Sequence, residues 1–505
     1  MGVVEYASIL YNCLIGFLIT SFILICLYLR KIHNYWKDRG ILYEKPIPII
    51  GNLGFIMRRS VWDFCYEIKN KHPRDYFGIF LAWTPVLMVQ SPELAKGILS
   101  KDFEYFSDRY LYSGYSDPLG SLNLFTVKNP MWKKLRYELS PMFTSLKLKS
   151  VTELMNANAT ELVNKIKRDY IDDNKVINLK ELFSMYASDT VAYNVFGIRV
   201  SILNDKPSPL WKITSHMVKW TFWRGFEFSL IFLVPAMATL LRLQFFSAAA
   251  TEYIKNLFWS VAKERNITRS SNDKDLLNLL IKLKEKLKDS VEPGSPLIDD
   301  IILAQAAVFI LGSIETSSTT LSYLLHELSH HSEVQQKLYN EISEAVKLKG
   351  KEILEYQDLL ELKYLTACIH ETLRKHTPVA YLDRLCLKDY KINDNFTIEK
   401  GTPVFINVLA IHYNEKYYPE PLKWKPERFL NKSETDNSDF TFLPFGEGPR
   451  FCIGKRYGMM QIRASLAQLL LKYKVEPALP YNVETDPYSF FMAPKDGLSV
   501  KFVQR

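Results

Sequence analysis

The chain lacks a Cys-x-x-Cys pair: its six cysteines, at 13, 26, 65, 368, 386 and 452, are scattered, and two of them lie in an apolar N-terminal run. That spacing argues against a disulfide framework and for a bulk that faces a reducing compartment. In such a compartment the sequons at Asn158, Asn266, Asn395 and Asn431 are chance matches, because glycosylation takes place on the other side of the membrane. There is no flavin or nicotinamide fingerprint, no nucleic-acid-binding motif, and no basic stripe interleaved with aromatics. The formal charge of +9 is therefore read as a match to an anionic membrane surface or an acidic protein partner.

What is present is a chain of 505 residues, 48% hydrophobic, enough to bury a large core. Ile9 to Leu29 is an uncharged apolar run of about 21 residues, long enough to span a bilayer and longer than a signal-peptide core. Glu5 precedes it and Arg30, Lys31, Lys37 and Arg39 follow, which places the remainder of the chain in the cytoplasm. Tyr6 stands where a myristoylation signal needs Ser or Thr. Lys45-Pro46-Ile47-Pro48-Ile49-Ile50-Gly51-Asn52 is too proline-rich for a helix and reads as a stiff extended hinge. The chain thus divides into an anchor (1–30), a basic and proline-rich hinge (31–52) and one folded unit (53–505).

The sharpest stretch is Phe445-Gly446-Glu447-Gly448-Pro449-Arg450-Phe451-Cys452-Ile453-Gly454, in which glycines and a proline surround a lone cysteine. Glycine lets the backbone approach a flat object closely, and proline stiffens the loop. Apolar residues recur at helical spacing from Ile453 to about Tyr473, so Cys452 is expected beside a helix N-terminus, as a thiolate. A catalytic thiol of another kind would need a second Cys or a His base nearby in sequence, and neither is there.

Other segments follow the same logic. Phe77–Leu81 and Val86–Val89 predict a hairpin, and Ser91-Pro92 opens a short helix, cap first and proline next. Phe103 to Asn129, rich in aromatics, Gly, Ser, Asp and Pro, reads as a long functional loop. Trp132 and Arg136 share one helix face and can both donate to one carboxylate. Phe222 to Pro235 is too short and charged to span a membrane; it fits an interfacial segment or a buried helix junction. Lys263 to Lys288 reads as a solvated helix and loop ended by Pro293-Gly294-Ser295-Pro296.

A long helix from Asp299-Asp300 to about Leu328 must cross the core. Midway along it Phe309, Gly312 and Thr316 share a face, beside Ser313 and Glu315; a threonine there can also simply bond back to its own helix. His326-Glu327-Leu328-Ser329-His330 fits the zinc-protease pattern, but no third ligand follows, and Ser332 with Gln335 reads as the capping box of the next helix. Glu371 and Arg374 form a helix-face pair, and Pro426-Glu427-Arg428-Phe429 adds another arginine. Phe490-Phe491-Met492-Ala493-Pro494 reads as a turn reaching inward.

The Phe-x-x-Gly-x-x-x-Cys-x-Gly loop resembles the haem-binding loop of the cytochrome P-450 superfamily, and the other motifs occur in that superfamily's order over nearly the whole chain. Thr441 to Arg450 and Ser140-Pro141-Met142-Phe143-Thr144-Ser145 are similar to the insect family-six microsomal members. The resemblance implies a mainly α fold with a smaller β-rich lobe, after one N-terminal transmembrane helix. It implies haem b with Cys452 as the iron ligand, and Trp132, Arg136, Arg384, Phe445 and Arg450 as further cofactor-binding residues. Glu315 and Thr316 would relay protons, in a turn where Ser313 replaces the usual second glycine and stands to narrow the oxygen pocket. Glu371, Arg374 and Arg428 would form a buried structural network.

The activity implied is insertion of one oxygen atom from O2 into apolar small molecules, in detoxification of xenobiotics or in oxidation of an endogenous hormone or fatty acid. Electrons would come from NADPH through NADPH-cytochrome P-450 reductase, with cytochrome b5 as a further donor, at the endoplasmic reticulum membrane. Lys133, Lys134, Lys455 and Arg456 are the candidate docking residues, and no nucleic-acid partner is implied. A haem-thiolate isomerase, a non-catalytic haem sensor and a membrane zinc protease are the competing classes.

Overall fold

The computed structural model describes residues 3–171, 175–206, 208–217, 219–268, 276–288, 297–430 and 437–505. Helix α1 (Val3–His33) exposes apolar side chains around its whole circumference from Leu10 to Tyr28. Its stretch Leu10–His33, 24 residues with none of its window buried, rises ~36 Å at about 1.5 Å per residue, enough for a ~30 Å hydrocarbon layer. Apolar side chains exposed around a whole helix are stable only in a non-aqueous medium, which matches a membrane anchor.

The chain then joins a four-stranded sheet. Strands β1 (Tyr76–Leu81) and β2 (Thr84–Val89) form the expected hairpin, turned at Ala82-Trp83 with Ala82 at φ 53°. Trp36 is fully buried against Gly78, where any Cβ would collide with the indole, and its Nε1 donates to the Ile79 carbonyl at 3.0 Å. Residues 45–52 do not run extended: Ile47 and Gly51 exchange backbone hydrogen bonds of 2.9 Å, closing a turn, and Gly51 pairs with Leu81. The sheet takes up the backbone groups that an extended hinge would leave to water.

Most of the remainder is helical. Helices α2 (Met131–Leu139), α3 (Ser145–Ile166), α4 (Leu179–Phe196), α5 (Phe222–Leu233) and α6 (Leu276–Lys288) lead to α7 (Leu297–His330). Although α7 is apolar enough to cross a membrane, 61% of its most apolar window is buried in protein, so it is the central core helix. It packs on α4 and α6 and on α8 (Lys363–Lys375). Strands β3 (Tyr381–Leu385) and β4 (Pro403–Asn407) complete the sheet in the order β1-β2-β4-β3, with β4 parallel to β2 and antiparallel to β3. Helix α9 (Lys455–Lys472) packs on α3 and α7, and strands β5 (Tyr473–Pro477) and β6 (Ser499–Gln504) close a three-stranded sheet with Ile177–Asn178.

Some local expectations change. Ser91 caps its helix as expected, with Pro92 in the first turn. Ser332 does not cap: it lies inside a helix whose N-cap is His331, while the Gln335 amide instead bridges the Leu328 and Val475 carbonyls at 2.9 Å each. Helix α6 is not solvated all round, because Leu276, Leu277, Leu280, Leu283 and Leu287 form a buried stripe, leaving its lysines on the other face. Helix α5 is a buried junction from Phe228 to Leu233, yet Trp223 near its start is 73% exposed. Pro293–Pro296 and Asn431 lie outside the described residues.

Candidate functional site

The Cys452 loop is shaped by two left-handed glycines, Gly446 at φ 66° and Gly448 at φ 75°. A Cβ on Gly448 would run into the Leu99 carbonyl, so only glycine permits this approach. The Cys452 N–H donates to the Phe445 carbonyl at 2.8 Å, and α9 begins three residues after the cysteine, at Lys455. Cys452 is accessible to water-sized molecules yet lies deep among protein atoms, so it lines an interior space. The expected thiolate is not produced by the protein's own charges. Burial pushes the thiol above its usual range, outweighing the Gly454 N–H and the positive charges of Arg136, Arg109 and Lys455.

Around this space the fold gathers cations from distant segments. Arg384 on β3 is 1% exposed; its Nη1 donates to the Asp383 carbonyl at 2.7 Å, and its buried Nε has no partner. Arg450 donates through Nη2 to the Val127 carbonyl at 2.9 Å and lies 3.4 Å from Asp108, while its buried Nε and Nη1 are unpaired. Its guanidinium stacks 4.3 Å above the Trp132 ring, and Arg136, one turn on along α2, stacks 4.6 Å from Phe451. Lys455 Nζ lies 5.8 Å from the partly buried Phe445 ring.

Burial, together with repulsion from Arg109 and Arg384, pulls Arg450 down to about 8; burial and Arg109 pull Arg384 down to about 9. A guanidinium that loses its charge advantage this far is short of anions. Asp108 and Asp383 supply some negative charge, and the unpaired N–H groups leave room for an anionic ligand group.

On α7 the Thr316 hydroxyl donates back to the Gly312 carbonyl at 2.7 Å, so the ordinary helix-bonded threonine is what is found. Beside Gly312 the space is open: a Cβ there would meet nothing within 4 Å. Ser313 does not narrow it, since its Oγ is buried next to the Tyr457 hydroxyl, which accepts from the Asn194 amide at 2.8 Å. Glu315, next to Thr316 in the chain, places its carboxylate 3.0 Å from Lys180 on α4.

Glu371, Arg374 and Arg428 come together as expected. Arg374 grips Glu371 in a bidentate pair, Nε to Oε2 at 2.7 Å and Nη2 to Oε1 at 2.8 Å, with both side chains 0% exposed. Arg428 Nε reaches the same carboxylate at 3.2 Å. Arg374 also holds the His412 carbonyl at 2.9 Å, and the His412 ring bridges the Arg374 carbonyl and the Leu443 N–H just before the cysteine loop.

A family model described as Cytochrome P450 matches residues 42–502. The chain belongs to the cytochrome P450 family. It is 34% identical over 502 residues to cytochrome P450 6k1 of Blattella germanica, covering 95% of this chain and 94% of that protein. It is 31% identical over 490 residues to cytochrome P450 6B2 of Helicoverpa armigera, with 95% of each chain covered. Probable cytochrome P450 9f2 of Drosophila melanogaster is 31% identical over 500 residues, with 94% of this chain and 95% of that protein covered. Its mainly helical fold with a small β lobe is that of the family, and the chain is a P450 monooxygenase that uses haem and O2.

The zinc-protease pattern dissolves in this P450. Glu327 is buried and taken up by Lys375 at 2.9 Å, His376 at 2.7 Å and the Tyr481 hydroxyl at 2.9 Å, and His376 and Lys375 hold its carboxyl below the usual range against the cost of burial. His326 Nε2 is engaged by the Tyr481 carbonyl at 2.9 Å. The carboxylate and one imidazole that a zinc site needs are thus already committed.

Sequence reasoning missed Arg109, Lys128, Asp108 and the carboxylate of Asp383. Arg109 pairs with Asp383 at 2.9 Å, and Asp383 also accepts the Tyr110 and Leu111 N–H groups at 2.6 and 3.2 Å. Lys128 Nζ donates to the Arg109 and Leu111 carbonyls. A charged pair buried in the aromatic loop was the only available signal, and its partner lies far along the chain. Phe125, Phe228, Phe232, Phe245, Phe490 and Tyr381 form a wall of aromatic rings, with Phe232 and Phe490 4.1 Å apart and Phe125 and Phe232 6.0 Å apart.

Proposed function

We propose that this P450 is a microsomal, reductase-dependent monooxygenase that oxidises apolar xenobiotics. The observation that carries the site assignment is the set of buried, unpaired guanidinium N–H groups on Arg384 and Arg450 gathered around the Cys452 loop. They fit the two carboxylates of haem b, and Trp132, Arg136 and Phe445 are the further residues that would hold it. Cys452, presented by the glycine-framed loop just before α9, would be the iron ligand. Bound there, the haem supplies reductive activation of O2, favoured by thiolate ligation.

The overall balance is RH + O2 + NADPH + H⁺ → ROH + H2O + NADP⁺. The balance consumes a proton, and the space beside Gly312 is open. The Thr316 hydroxyl is placed to hold one by rotating off the Gly312 carbonyl, and Glu315 is the nearest acid in sequence. The aromatic wall excludes water and favours flat apolar substrates. Electrons would come from NADPH-cytochrome P-450 reductase, with cytochrome b5 as a second donor, docking on Lys133, Lys134, Lys455 and Arg456. The anchor (1–30) and the segment 31–52 would hold the catalytic unit (53–505) on the cytoplasmic face of the endoplasmic reticulum, with exposed Trp223, Leu240 and Leu241 as further interfacial contacts.

The test is mass-spectrometric product analysis on microsomes co-expressing the chain with reductase, with Cys452→Ala as control. The panel holds xenobiotics, ecdysteroids, juvenile hormone and fatty acids. A product with one added oxygen that needs NADPH and is absent from the control supports the reading. Oxidation confined to a hormone or fatty acid overturns the detoxification role, and product formed without NADPH indicates an isomerase.

A further inference from the structure

Lys180 has no role in the motifs, yet it is the side chain that meets Glu315. It stands at the start of α4, where Asn178 caps the helix by accepting the Lys180 N–H at 3.1 Å and the Leu179 N–H donates to the Leu498 carbonyl at 2.8 Å. That anchorage to the three-stranded sheet fixes the direction of the lysine. Its ammonium crosses to α7 and grips one helical turn: 3.0 Å from Glu315 Oε1, with hydrogen bonds to the Glu315 carbonyl at 3.1 Å and to Thr319 Oγ1 at 2.7 Å.

The carboxylate is 2% exposed and the lysine side chain 19% exposed. Both carboxylate oxygens are buried and accept no hydrogen bond of regular geometry, so the ion pair at Oε1 leaves their lone pairs available. Among the described residues Glu315 has no other ion-pair partner. Burial pulls the Lys180 ammonium below the usual lysine range, and the neighbouring Glu315 offsets part of that.

We propose that Lys180 is the positioning residue for Glu315, holding the carboxylate charged on the α4 side of α7 so that it can accept a proton and pass it on. The inference rests on the reading of Glu315 and Thr316 as the proton-handling pair. A buried carboxylate stripped of its counter-ion takes up a proton and keeps it. A neutral acid fixed in that state no longer cycles, and the two electrons from NADPH then leave with O2 and two protons as hydrogen peroxide instead of hydroxylating substrate.

The test uses the full-length haem-loaded protein as wild type, Lys180→Met, Lys180→Gln, Lys180→Arg, Glu315→Gln and Lys180→Met/Glu315→Gln. Infrared difference spectroscopy reads the charge of Glu315 without turnover. A carboxylic-acid carbonyl band is expected in Lys180→Met and Lys180→Gln, absent from wild type and Lys180→Arg, and lost again in the double variant. Product formed per NADPH is expected to fall about tenfold in Lys180→Met with a matching rise in peroxide, less than the ~10²-fold loss typical of removing a general acid itself, and to recover in Lys180→Arg. No new band, or a band already present in wild type, overturns the inference. A new band with unchanged product per NADPH overturns its catalytic part. If Glu315→Gln leaves product per NADPH unchanged while the band behaves as expected, the proton-handling reading fails and the hold of Lys180 on the charge of Glu315 stands.

Discussion

Removing Arg374 should cost far more stability than removing Arg428, although both touch the same carboxylate. Glu371 and Arg374 are both 0% exposed, and Glu371 also accepts the Lys425 N–H at 2.9 Å. Arg374→Ala leaves Glu371 buried with a single guanidinium contact at 3.2 Å, and it frees the His412 and Lys423 carbonyls. Breaking one side of a buried ion pair costs ~3–5 kcal/mol, about a thousandfold in the folding equilibrium at ~4 kcal/mol.

Arg428 is 13% exposed and gives Glu371 only its Nε, so Arg428→Ala should cost about 1–2 kcal/mol. Arg374→Lys should recover less than half of the loss, since an ammonium cannot reproduce the bidentate fork. Urea titration of the haem-loaded protein measures the order, and the carbon monoxide difference spectrum reports the cysteine loop, which Arg374 reaches through His412 and Leu443. Equal losses for the Arg374 and Arg428 alanine variants, or a loss below about 1 kcal/mol for Arg374→Ala, would refute the reasoning.

Arg450→Met and Arg384→Gln should each weaken haem retention, read as Soret absorbance per mole of protein after gel filtration, while Lys400→Gln on the surface leaves it unchanged. The protein should lose stability in acid because burial holds His412 and His370 at about 3. Their folded values lie below the unfolded value of about 6.5, so the unfolded chain binds the extra protons, and stability falls as pH drops from about 6.5 toward about 3, by ~1.4 kcal/mol per pH unit for each histidine. His412→Gln should flatten that slope by one histidine's share; an unchanged slope in pH-dependent urea midpoints would count against it. Reversing Lys133 and Lys134 to Glu should slow reductase-driven turnover more than peroxide-driven turnover, and equal slowing would remove the docking assignment.

The local order of the chain determines a good deal of this protein. The uncharged run before Arg30, the hairpin at residues 76–89, the cap at Ser91-Pro92, the glycine-framed Cys452 and the Glu371–Arg374 spacing are all short-range patterns, and short-range patterns are set by backbone sterics and helix periodicity. Tertiary structure decided what depends on burial and on partners far apart in sequence. It raised the thiol of Cys452, because burial outweighs the Gly454 N–H and the nearby Arg136, Arg109 and Lys455. It turned Ser313 toward Tyr457 and Glu315 toward Lys180, and it tied Arg109 to Asp383. No window of sequence contains both members of such pairs, since charges buried together are chosen by where the chain folds, and only there does the cost of leaving water make the partner necessary.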